Sequence, residues 1–232
     1  MPDPLEIPTV RDLRRRWKPL KAGAAATDEH EAIRIRLHRC FSWMARAEHI
    51  ATGEDEEPAL DALLLYRWTA FNALYGRWDA EVQAPRPDAQ CYRGFTTRLM
   101  DIDRAGQARI PATLAANRKL LESIAGDEFL LRHFWQDPDG DHGRTAERTV
   151  RKLREMLREG REAAALELVL DRVYLLRCQL VHGASTFGGR ENRHAVRRSA
   201  RLLELLLPEV AIVIIDGAWE GDWDGLCYPP VR

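Results

Sequence analysis

The chain has 232 residues, 45% of them hydrophobic, and a formal net charge of −1. That length holds one large domain or two small ones with a core that needs no staples, and that composition excludes wholesale disorder. The four cysteines, Cys40, Cys91, Cys178 and Cys227, form no C-x-x-C pair, the first ten residues lack the pattern of a signal peptide, and the apolar run 202–215 is broken by Glu204, Pro208 and Glu209. No disulfide framework, zinc site or membrane span is indicated, so the expectation is a cytoplasmic protein with no membrane partner.

Residues 1–27 hold Pro2, Pro4, Pro8 and Pro19, show no lasting periodicity and read as an N-terminal extension. Within it, Arg11, Arg14, Arg15, Arg16, Trp17 and Lys18 suit a short surface helix. From 28 to 232 the pattern is that of one helical domain. Thr27 and Asp28 are N-cap residues for a helix with Ile33, Leu37, Cys40, Phe41 and Met44 on one face. Gly53 and the acidic run 54–57 end it, and Pro58 suits the first turn of the next helix. That helix carries Leu60, Leu63, Leu64, Leu65, Trp68, Phe71, Leu74 and Tyr75, apolar most of the way round, and belongs at the centre of a bundle.

Prolines 85 and 87 mark a loop. Helices are expected over about 92–103 and 113–124, with a short one over 129–135 and a polar loop over 137–143. A helix over about 145–159 is interrupted by Gly160, and a strong helix follows over 162–181. Gly183, Gly188 and Gly189 make the next turn. The helix from 192 to about 207 bends or stops at Pro208. Residues 210–215 are β-branched, but a last helical turn is favoured over a strand, and 219–232 should pack as irregular chain. There is no repeat, no strand–helix alternation and no glycine-rich phosphate loop. The fold class is all-α, an antiparallel helical bundle.

Charge is unevenly spread. Residues 142–201 hold 14 Lys and Arg against 7 Asp and Glu, whereas 202–232 hold 1 against 6. A basic segment is what polyanion binding requires, and it is equally what a solvated helix face looks like. Other chemistry fails on inspection. His30 and Glu31 lack the second histidine of H-E-x-x-H, and the calcium-like run beginning at Asp137 has Arg148 where the closing glutamate belongs. His38, His49, His133 and His194 are isolated.

One segment stands out, DRVYLLRCQLVHGAS at 171–185. Leu166, Leu170, Val173, Arg177 and Leu180 fall on one stripe, so Arg177 occupies a leucine-like position. An arginine there is costly unless it is paired or the site stays wet, which leaves a structural ion pair and an anion site as the two explanations. His182 follows five residues later, just before Gly183, at an expected helix end. On an ideal helix the two residues are roughly 140° apart around the axis and about 7.5 Å apart along it. An arginine stabilises phosphoryl charge and a histidine moves protons, a usable pair for phosphodiester cleavage.

Here the chain resembles the HEPN superfamily. RCQLVHG at 177–183 is similar to the family's R-N-x-x-x-H-G helix end, RWTAFNALYG at 67–76 to a segment on an early helix of a bacterial branch, and WDGLCYPPV at 223–231 to that branch's terminus. The resemblance implies an α-helical bundle, frequently dimeric through the motif helices, and metal-independent endoribonuclease activity in toxin–antitoxin, anti-phage or RNA-processing systems. It needs no cofactor. Arg177 and His182 would be the catalytic pair, with Asn72 in support and RNA as substrate. An antitoxin or a defence-system protein would be the partner. Cys178 stands where the family has a polar residue, often asparagine, and a thiol hydrogen-bonds weakly. A non-catalytic module that binds RNA, nucleotide or a protein, and a plain structural homodimer, therefore stay open beside the ribonuclease. The basic segment 142–201 is expected to face the site, so that Arg190, Arg193 and Arg197 line an RNA path.

Overall fold

The computed structural model describes residues 7–53, 59–190, 192–223 and 225–228. Thr9 starts the first helix, α1 (Val10–Ala22), through a capping box with Asp12. Val10, Leu13 and Trp17 are buried in the same core as the later helices. The segment expected to be an extension thus contributes a packed helix, with its basic residues on the outer face. Two 3-10 turns lead to α2 (Glu31–Ala51), which starts three residues after the expected cap at Asp28.

Helix α3 (Leu60–Tyr75) is the central element, as its all-round apolar pattern indicates. It packs along α2 on one side and along α9 (Arg193–Val213) on another. A two-residue antiparallel ribbon follows, β1 (Trp78–Asp79) and β2 (Ala84–Pro85), turning through Gln83 at φ 52°. This ribbon was expected as loop. Its strands are too short to carry a period-2 signal.

Helix α4 (Asp88–Ala105) is longer than expected at both ends. The single helix expected over 113–124 is two, α5 (Arg109–Ala116) and α6 (Arg118–Ala125). They break at Asn117, whose side chain donates to the Thr113 carbonyl and so competes with the helix ladder. Asp103, buried at the end of α4, accepts from the backbone N–H groups of Arg109 and Ile110 and caps α5. The short helix expected over 129–135 is two 3-10 turns.

Asp141 caps α7 (His142–Arg158), and α8 (Glu162–Val181) lies against α4, α6 and α7. Helix α9 does not stop at Pro208 but runs through it into a π turn at Ile214–Ala218. Deep burial of Leu206, Leu207, Val210 and Ala211 outweighs the lost backbone hydrogen bond. The tail then crosses back, with Leu226 bridged to Arg77 and Trp223 buried. The fold is all-α apart from the ribbon. No helix among the described residues is long and apolar enough to cross a membrane.

Candidate functional site

Helix α8 ends in a Schellman motif. Gly183 takes φ +70°, Gly183 N–H bonds to the Leu180 carbonyl, and Ala184 N–H bonds to the Gln179 carbonyl at 2.8 Å. His182 is the C-cap, and its side chain is exposed, with no hydrogen bond to any described residue. Glycine at 183 is required by that left-handed conformation. The sequence HG therefore sets the position of the imidazole, at the rim of the bundle.

Five residues earlier, Arg177 is half-buried. The expected stripe holds through Leu166, Leu170 and Val173, then Leu176 takes the buried place and Arg177 sits at the core's margin. Among the described residues no carboxylate lies within ion-pair distance of Arg177, so the ion-pair explanation for its position finds no partner there. Its electrostatic neighbours are two phenols, Tyr75 and Tyr174. Burial pushes the Tyr75 phenol well up, and the nearby Asp88 carboxylate adds to it. Burial and the adjacent Cys178 thiol raise Tyr174.

Asn72 belongs to this neighbourhood. Its amide donates to Asp88 at 2.7 Å and to the Tyr75 hydroxyl at 3.0 Å. Asn72 and Tyr75 come from α3, Asp88 from the first turn of α4, and Tyr174, Arg177 and Cys178 from α8. Three helices thus converge on one polar cluster floored by aromatic rings, Trp68 and Tyr92 packing against Tyr174 at 5.9 and 6.2 Å. Sequence reading found Asn72, Arg177 and Cys178 but missed Tyr174, Tyr75 and Asp88. Tyr174 was findable, since it lies three residues before Arg177 on the same helix face.

The three arginines expected along an RNA path separate. Arg190 and Arg197 are exposed. Arg193 instead pairs with Asp61 in the first turn of α3 at 3.0 Å, and Asp61 also accepts from Gly188 N–H at 2.8 Å. Arg193 pins the loop after α8 onto the bundle, so its charge is already engaged. More exposed cations lie on α7, where Arg148, Arg151, Lys152 and Arg158 share a surface with Arg118 and Arg154. Exposed apolar side chains flank the α8 end: Val181, Phe187, Phe129 and Trp135. No group of three or more His, Cys, Asp or Glu among the described residues is placed to hold a metal ion. No protein-family model, curated protein or solved structure matches the chain.

Proposed function

We propose that the chain is an endoribonuclease of the HEPN type that cleaves RNA without a metal, with Arg177 and His182 as its catalytic residues. The observation that carries this reading is the condition of that pair. A half-buried arginine has no carboxylate partner among the described residues, and an exposed histidine stands five positions on at a defined helix end. In the reaction the ribose 2′-oxygen attacks the adjacent phosphorus. The O2′–P bond forms and the P–O5′ bond breaks, leaving a 2′,3′-cyclic phosphate and a 5′-hydroxyl. The 2′-hydroxyl proton is taken up and one proton is delivered to the departing 5′-oxygen; His182 performs one of these transfers. Arg177 stabilises the phosphoryl charge.

Because Arg177 and His182 point apart on one helix, the reading calls for a second copy of the chain to bring a histidine beside the arginine. Val181 and Phe187, exposed next to His182, supply apolar surface for that contact. Arg190, Arg197 and the α7 cations supply charge for the RNA backbone. The test is incubation with total RNA in EDTA, beside His182→Ala and Arg177→Ala. Each variant is expected to lose about 100-fold or more in cleavage. Equal cleavage by wild type and variants, or none by folded protein, overturns the assignment.

One observation favours a second reading, a non-catalytic module binding RNA, nucleotide or a protein such as an antitoxin or defence-system partner. Cys178 lies beside the Tyr174 hydroxyl, where the family pattern has an amide next to the motif arginine. Retention of RNA without cleavage would select it.

A further inference from the structure

On the side of α4 away from α8, a cavity of about 310 Å³ opens between α4, the end of α3 and the crossing tail. Arg77, Arg86 and Arg98 line it, with buried Arg36 behind them. Among its described lining residues the single carboxylate is Asp222, and Arg77 holds it at 2.8 Å. Arg86 pairs through its Nε with Asp79 at 3.3 Å. Arg98 donates to a main-chain oxygen, that of Asp222, at 2.6 Å and stacks 4.8 Å from the Trp223 ring, with no carboxylate among the described residues in ion-pair range. Its fork is thus held in place, and the Asp222 carboxylate acts on its charge only from beyond ion-pair distance. The arginines also oppose one another. Burial is the main reason that Arg36 and Arg98 are pushed down, Arg36 to about 10, and the neighbouring Arg77 lowers both further.

A second feature is independent of charge. Gly94 lies in the middle of α4 and lines the cavity, and a Cβ built on it meets nothing within 4 Å. A glycine inside a helix costs about 1 kcal/mol relative to alanine, and here neither a turn nor a close backbone approach requires it. Gly94 is exposed, and its missing side chain leaves that part of the cavity wall bare. The remaining wall, Leu74, Tyr75 and Phe95, is apolar or aromatic.

We propose that this cavity binds the phosphate group of a small phosphomonoester, with Arg77, Arg86 and Arg98 on the phosphate and the organic body over Gly94 against Phe95 and Leu74. Guanidinium forks match phosphate oxygens in pairs, and three of them converge here. The volume is at the lower end for a small-molecule pocket and leaves room beyond the anion. Tyr75 belongs both to this wall and to the surroundings of Arg177, but the phosphate contacts proposed here use neither Arg177 nor His182 and do not depend on the ribonuclease reading.

Isothermal titration at fixed ionic strength, with inorganic phosphate and with phenyl phosphate as probes, tests it. Saturable binding of at least one probe is expected. Arg98→Gln and Arg86→Gln should each raise Kd at least tenfold, and Gly94→Leu should abolish binding while the Tm of the free protein does not fall. Arg11→Gln, on the outer face of α1, should leave Kd unchanged. Phenyl phosphate is expected to bind more tightly than inorganic phosphate, because its ring adds contact with the apolar wall. Absence of binding at millimolar probe, phenyl phosphate bound no more tightly than inorganic phosphate, binding that survives Gly94→Leu, or an equal loss in Arg11→Gln overturns the proposal.

Discussion

Two arginines sit in otherwise apolar helices and live very differently. Arg36 of α2 is 2% exposed and spends its donors on main-chain oxygens: Leu74 and Gly76 at the end of α3, and Trp223 and Gly225 in the tail. It closes the C-terminus of the central helix and ties the tail across it. Arg177 of α8 is half-buried, caps nothing and meets phenols rather than carboxylates among the described residues. The first arginine is structural by its contacts with the described residues, while the second has no carboxylate partner among them. An arginine's place in an apolar stripe therefore says that it has a reason to be there, and its partners say which.

The sharpest way to break this comparison is to remove each guanidinium. Arg36→Met leaves several buried carbonyls unpaired and should cost roughly 3 kcal/mol or more by urea denaturation. Arg177→Met should cost no more than about 1 kcal/mol, since a half-buried group with no ion pair loses little. Equal losses would mean that Arg177 holds the fold together. Between these extremes lies Arg193, paired to Asp61 with side-chain exposures of 17% and 9%. Arg193→Gln leaves that carboxylate in a sheltered place with Gly188 N–H still bonded, and about 2 kcal/mol is expected from the same titration. Arg197→Gln, exposed on the same helix, should stay within about 0.5 kcal/mol. A loss at Arg193 no larger than at Arg197 would return it to the set of cations available for a polyanion.

The pattern of the chain carried most of the helices but not the way they break and join. One-sided periodicity located α2 and the stripe of α8, because the apolar face of a helix repeats whatever it packs against, and an apolar run most of the way round located α3. The break at Asn117 and the passage through Pro208 are local rules overridden or enforced by burial and side-chain bonding, which a linear pattern does not contain. In the candidate site, Arg177, Cys178 and His182 were readable because they lie within one turn and a half of one helix. Asn72 was readable only from a resemblance. Asp88 became visible only once α3 and α4 were folded against α8, since nothing in its own segment marks it, and Tyr75, inside the segment that carries the resemblance, read there as core. The cavity beside the tail was invisible for the same reason: Arg77, Arg86 and Arg98 are ordinary surface residues in sequence, and the tail brings them together.

A third kind of arginine sharpens the comparison at its weak end. Glu122 of α6 is gripped by Arg154 at 2.7 Å and by Arg118 at 2.8 Å, on the basic surface of α7. The Arg154 hydrogen bond, then that of Arg118, outweighs the effect of burial and pulls the carboxyl from its ordinary 4.5 down to about 2. Because the folded chain holds this carboxylate ionised where the unfolded chain would protonate it, the contribution to stability is complete above about pH 4.5. It fades as pH falls toward 2. Both arginines are about half exposed, so solvent screens the pair and the whole effect should be about 1 kcal/mol or less. Glu122→Gln should therefore lower stability at pH 7 by about that amount, with the difference from wild type fading as pH falls from 4.5 toward 2. Added salt should shrink the difference between wild type and variant. A larger effect that resists salt would show that these surface arginines are committed to the fold as firmly as Arg36, and would remove Arg154 and Arg118 from the charges that α7 offers to a polyanion.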